Sequence, residues 1–123
     1  MRVFILVCLA LSLWGQKKAD VETVEVKVRR IEDGKITADG RVRVTGSKPV
    51  RGLTVVFDFL SSDDAPLASL KTEVDDEVVN PGEESGFHTV TPNPPGAIKY
   101  KLRVFDSAER QLRMANTGPF VIE

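Results

Sequence analysis

Apolar residues in this chain recur at every second position, and that period limits what it can fold into. Val24, Val26 and Val28 are separated by Glu25 and Lys27, and Ile98, Tyr100, Leu102 and Val104 by Lys99, Lys101 and Arg103. Successive side chains of a strand point to opposite faces, so this alternation buries one face and wets the other. The run from Leu53 to Leu60 is the most apolar of its kind. Leu53, Val55, Phe57 and Phe59 share one face, and Val56 and Leu60 add apolar groups to the other. It reads as a central strand.

Turn signals punctuate these runs at intervals near ten residues. Asp33-Gly34 suits a tight hairpin and predicts a first strand pair, with Ile36, Ala38, Val42 and Val44 on the second strand. Asp39-Gly40 interrupts that second strand without ending its alternation and predicts a bulge there. Breaks follow at Gly46–Pro49, Ser61–Pro66 and Asn80–Gly82, and Thr91–Gly96 holds three prolines that cannot donate to a ladder. Between them lie a weaker strand over Leu67–Val74, whose pattern also fits one or two helical turns, and a short strand around Phe87. A last strand runs from Leu112 to Ile122, bent at Asn116–Pro119. Seven strands in about 100 residues without an amphipathic helix predict an all-β, antiparallel two-sheet sandwich. An open barrel is the alternative, but Phe57, Phe59, Phe87, Tyr100 and Leu102 are bulky enough to fill a sandwich core. The expected core is Val26, Val28, Val42, Val44, Leu53, Val55, Phe57, Phe59, Phe87, Tyr100, Leu102 and Val104.

The N-terminus has a different grammar. Arg2 supplies a positive start, Val3 to Trp14 is apolar apart from Ser12, and Gly15 precedes the polar Gln16-Lys17-Lys18. This is the layout of a secretory signal peptide, and its apolar run is shorter than the roughly 20 residues a spanning helix needs. Residues 1–15 are therefore expected to be a cleaved leader, 16–22 a short polar lead-in, and 23–123 a single domain, periplasmic or secreted. An uncleaved tether is the alternative. Cys8 follows Val7 too near the start to fit a lipoprotein site. Cleavage after Gly15 leaves 108 of the 123 residues and removes the only Cys and the only Trp, so no intramolecular disulfide and no membrane span would remain.

From Arg43 to Val104 the chain resembles the FxLYD domain family. The resemblance rests on Val44-Thr45-Gly46, the apolar strand Leu53–Leu60, Pro81-Gly82-Glu83 ahead of Phe87, and Tyr100-x-Leu102-x-Val104. The motif that names the family would fall at Phe57-Asp58-Phe59-Leu60-Ser61. Phe57 matches it, Phe59 and Leu60 stand for Leu and Tyr, and Ser61 stands where the family has Asp. The resemblance covers about half the chain and implies an immunoglobulin-like sandwich, an extracytoplasmic bacterial envelope module without catalytic residues.

Composition excludes most chemistry. The 17 Lys and Arg against 18 Asp and Glu give a net charge of -1, which argues against a nucleic-acid binder. His88 is the only imidazole, and its place beside Phe87 on an alternating strand turns it to solvent, so no general base with a positioned partner is marked. No enzyme activity, cofactor or zinc site is expected. Acidic groups cluster at Asp63-Asp64, Asp75-Asp76-Glu77 and Glu83-Glu84. If their loops shared one end of a sandwich they could ligate calcium, which is the alternative function, a small ligand or ion binder.

The near-zero net charge hides a division. Residues 58–84 hold nine acidic side chains and one basic, Lys71, whereas residues 99–113 hold five basic and two acidic. Alternation turns Lys27 and Arg29 outward on the first strand, and Arg41, Arg43, Lys99, Lys101 and Arg103 on theirs. If their strands are neighbours, the last five are candidate contacts for a protein or an anionic envelope polymer. A non-catalytic interaction or structural module is the function expected.

Overall fold

The computed structural model describes residues 19–123, so the expected leader and the first three residues of the lead-in lie outside the described residues. Strand β1 (Val21–Ile31) turns through Glu32–Gly34 into β2 (Lys35–Val44). Asp33 and Gly34 both adopt positive φ, 63° and 67°, the left-handed backbone that the Asp-Gly pair anticipates. Strand β1 begins two residues before the expected boundary at 23, and its first residue, Val21, is fully buried and pairs with Val44. β7 (Glu84–Pro92) joins the other side of β2 and completes a three-stranded antiparallel sheet.

The second sheet is built on β4 (Thr54–Leu60), the central strand anticipated, which lies between β5 (Pro66–Glu73) and β8 (Lys99–Phe105). Leu67–Val74 is thus extended rather than helical. The expected last strand is instead two short pieces, β9 (Gln111–Leu112) and β10 (Phe120–Val121), both paired with the far edge of β8. β3 (Val50–Arg51) and β6 (Val78–Val79) form a small pair that alternation was too brief to signal. Two antiparallel sheets of order β1-β2-β7 and β10-β8-β4-β5 face each other, the arrangement of an immunoglobulin-like sandwich.

Their inner faces make one core. Of the twelve expected core residues eleven are buried, and Val26 is partly buried against them. The Phe57 ring meets Phe87 at 5.8 Å edge to face and Tyr100 at 5.9 Å, and Tyr100 reaches Phe120 at 5.4 Å, so aromatic contacts tie both sheets together.

The bulge lies on β1, not at Asp39-Gly40 as expected. Val24 pairs with Arg41 and Lys27 with Asp39, so Glu25 and Val26 together oppose Gly40. Glu25 takes φ 51° to make the step. Its effect is to put Val24 on the outer face while Val26 and Val28 point inward, so the three valines do not share a face. Gly40 is required by close approach: a Cβ there would lie 2.9 Å from the Val26 Cα and 3.1 Å from the Phe87 ring.

The C-terminal segment meets the outer edge of β1 near both its ends. The amides of Asp20 and Val21 donate to the Arg113 carbonyl, at 2.8 and 3.2 Å, while Arg30 N–H donates to Glu123 and Glu123 N–H to Val28, both at 2.9 Å. The Arg30 guanidinium caps that end of the sandwich by donating to the Ala97 and Ile122 carbonyls.

Candidate interaction surface

Arg41 and Arg43 alternate with the buried Val42 and Val44 and face outward from the three-stranded sheet. Lys99, Lys101 and Arg103 alternate with buried Tyr100, Leu102 and Val104 and face outward from the other sheet. β2 and β8 are not neighbours but lie in opposite sheets. The five residues therefore form no single basic face.

Four of the five are also paired with acids. Arg43 sits directly between Glu22 on β1 and Glu84 on β7, with Nη1 2.6 Å from Glu22 and Nη2 against Glu84. Arg41 lies 2.9 Å from both Glu25 and Glu84. The hydrogen bonds and charge of Glu84 and Glu22 raise the Arg43 pKa above its ordinary value. Two arginines and three glutamates leave this half of the face short of positive charge. On the other sheet Lys99 lies 2.6 Å from Asp64, and Arg103 grips Asp58. Lys101, opposite Asp58 across the ladder, is exposed and makes no ion pair among the described residues.

The Asp58 pKa reports this clasp. Partial burial pushes it upward, but hydrogen bonds from Arg103 and Ser69, with the charges of Arg103 and Lys101, outweigh that and hold it below the ordinary carboxylate value. Beside it Val56 is 1% exposed although it points away from the core. Lys71 and Arg103 flank it directly in the register, where long side chains of this kind shield an apolar neighbour with their aliphatic stems. A groove of about 590 Å³ opens over Val56, walled by Lys71 and Glu73 on one side and by Phe105 and the Asp106–Glu109 turn on the other.

Unpaired positive charge gathers elsewhere. Cross-strand rows on the outer face of the three-stranded sheet read Lys27–Asp39–His88, Arg29–Thr37–Val90 and Ile31–Lys35–Pro92. Among the described residues no ion pair forms at Lys27, Arg29 or Lys35. Ile31, 42% exposed, lies next to them. Lys27 and Arg29 were legible as outward side chains; that they are free while Arg41 and Arg43 are not depends on where the glutamates land. His88 faces solvent as anticipated, 3.8 Å from Asp39.

The acidic clusters do not share one end. Asp63 and Asp64 lie in the β4–β5 turn, whereas Asp75–Glu77 follow the far end of β5, whose eight residues span roughly 26 Å. Glu84 is held by the two arginines. Among the described residues no three His, Cys, Asp or Glu side chains assemble as a metal site, and no described helix is long and apolar enough to cross a membrane.

No protein-family model matches the chain, and no curated protein sequence matches it. Among solved structures it is similar to IrmA from Escherichia coli, with a TM-score of 0.55 and 10% identity, over 86% of this chain and 99% of that one. A β-glucuronidase of glycoside hydrolase family 2 matches with a TM-score of 0.56 and 14% identity, over 84% of this chain and 13% of the enzyme. An exo-β-N-acetylglucosaminidase of glycoside hydrolase family 20 from Vibrio harveyi matches at 0.54 and 6% identity, over 85% of this chain and 19% of the enzyme. The chain thus spans nearly the whole of IrmA but less than a fifth of either hydrolase. At these identities the likeness is one of fold. The shared fold is a small antiparallel β-sandwich, which makes up nearly all of the IrmA chain and a part of each enzyme.

Proposed function

We propose that the chain is a non-catalytic extracytoplasmic interaction module of the FxLYD kind, exported by cleavage after Gly15, that binds an anionic partner through Lys27, Arg29 and Lys35. The partner is an acidic protein or an envelope polymer. One observation carries the reading: these three cations share the outer face of one sheet and have no ion-pair partner among the described residues, whereas Arg41, Arg43, Lys99 and Arg103 are each held by carboxylates. Unpaired cations keep their full attraction for an incoming anion, while paired ones have already lost most of it to a neighbour. The four paired residues then serve as struts that tie strands together, and Lys101 is a separate, isolated charge. The exposed Ile31 adds apolar contact beside the charges.

The experiment is retention on beads carrying poly-glutamate and on an envelope fraction. Contacts between exposed charges weaken as the screening length falls from about 10 Å at 0.1 M salt to about 3 Å at 1 M. Retention at low salt and release at high salt is the expected result. Equal behaviour at both, or no retention at either, rules the reading out.

A further inference from the structure

Among the described residues one edge of the sandwich is open, and beyond Glu84 it carries no charge. β7 pairs with β2 so that Val42, Gly40, Ala38 and Ile36 face Ser85, Phe87, Thr89 and Thr91. The Val44 amide and carbonyl bond to the turn leading into β7, which fixes the alternation: even-numbered β2 residues turn their main-chain groups toward β7. Gly86, His88 and Val90 therefore turn theirs outward. The Gly86 carbonyl accepts from the Asp75 amide at 2.8 Å, and the Asp76 amide bonds the Ser85 hydroxyl at 2.9 Å. Past that point nothing among the described residues meets the edge.

The β9/β10 edge consists of strands of two residues each, and the β1 and β5 edges are blunted by other devices sheets use against pairing. β1 is bulged and bonded near both ends by the C-terminal segment, and β5 starts at a proline, bulges at Leu67 and carries Lys71 and Glu73. β7 has no such protection until Pro92. No Asp, Glu, Lys or Arg occurs between Glu84 and Lys99, in a chain in which 28% of residues are charged. Thr89, Val90 and Thr91 are β-branched, and Val90 is 46% exposed.

We propose that this edge pairs with the same edge of a second copy, antiparallel about a two-fold axis at Thr89, joining two three-stranded sheets into one of six strands. The register follows from the backbone. With Thr89 on the axis, His88 of each copy faces Val90 of the other, and every free N–H and C=O of both residues gains a partner. Centring on His88 sets the Val90 amide against the Gly86 carbonyl, which Asp75 already occupies. Centring on Val90 sets the His88 carbonyl against Pro92, which has no N–H. No like charges meet across the seam, and the two-fold makes the contact self-limiting. The inference does not depend on the anionic partner, and the two separate by salt: an uncharged seam is insensitive to it.

Sedimentation velocity of the purified protein over a range of concentrations tests it, together with Val90→Pro and Val90→Lys. The Val90 amide is unused in the fold, so proline is tolerated there as on other edge strands. Wild type is expected to shift to dimer with rising concentration at low and high salt alike. Each variant should keep its melting temperature and weaken dimerisation by about tenfold or more, since proline removes two hydrogen bonds from the symmetric seam and lysine places charge in it. In exchange experiments the His88 and Val90 amides should become protected as dimer forms. Wild type that stays monomeric throughout overturns the proposal, as does a dimer that both variants leave intact.

Discussion

Arg103 meets Asp58 at two points, Nε to Oδ2 at 2.6 Å and Nη2 to Oδ1 at 2.8 Å, while Ser69 donates to the same carboxylate at 2.7 Å. One side chain on the central strand thus gathers both neighbouring strands of its sheet. A planar guanidinium suits this two-point grip better than an ammonium does. Asp58→Asn keeps an acceptor for Ser69 but loses the ionic contact. It should destabilise the protein by about 1–2 kcal/mol in urea unfolding at neutral pH.

The same carboxylate sets an acid limit. Asp58, Asp63 and Asp106 all lie below their ordinary values in the folded protein. For Asp63 the leading cause is the Ser61 hydroxyl, and for Asp106 the Arg110 amide. A carboxyl whose folded pKa is depressed contributes stability that is complete above its unfolded pKa, about 3.9, and is lost as pH falls through the folded value. Stability should therefore drop below about pH 4, and less steeply in Asp58→Asn. Parallel slopes for the variant and wild type would show that Asp58 takes no part.

At the bulge the prediction concerns space. Gly40→Ala forces a methyl against the Val26 backbone and the Phe87 ring, neither of which is a flexible chain end. A cost of about 1–3 kcal/mol in the same unfolding experiment is expected. In the core Phe57→Ala removes a fully buried ring that contacts both sheets, and about 3–5 kcal/mol should be lost. A loss under about 1 kcal/mol at Phe57 contradicts the packing described.

Export has its own readout. Intact mass of the protein recovered from its native host should correspond to a chain starting at Gln16. Having lost Trp14, it should absorb weakly at 280 nm through Tyr100 alone. Full-length protein in the cytoplasm contradicts the leader reading.

Strands with one clear apolar face were legible in the sequence. In β4 and β8 the face read from the alternation is the face that is buried, because no irregularity intervenes along either strand. β1 shows why the rest was hidden. Its valines continue to alternate through the bulge, so nothing in the period records that Glu25 and Val26 share one partner. Counting back from the Asp33-Gly34 turn without a bulge puts Thr23 opposite Arg43; the bulge puts Glu22 there instead, 2.6 Å away. Glu84 arrives from a strand 41 residues later in the chain. Whether an arginine is free or paired was thus fixed by register and strand order, which side-chain alternation does not encode. β9 and β10 are two residues each, too short for a period to declare itself.

Two variants separate the paired cations from the unpaired ones. Lys27, Arg29 and Lys35 are replaced by Ser in one, Arg41 and Arg43 in the other, and retention on poly-glutamate beads is measured at low and high salt. The triple variant should lose its low-salt retention, while the double variant retains it and loses thermal stability instead. Loss of retention in the double variant with the triple unchanged would contradict this.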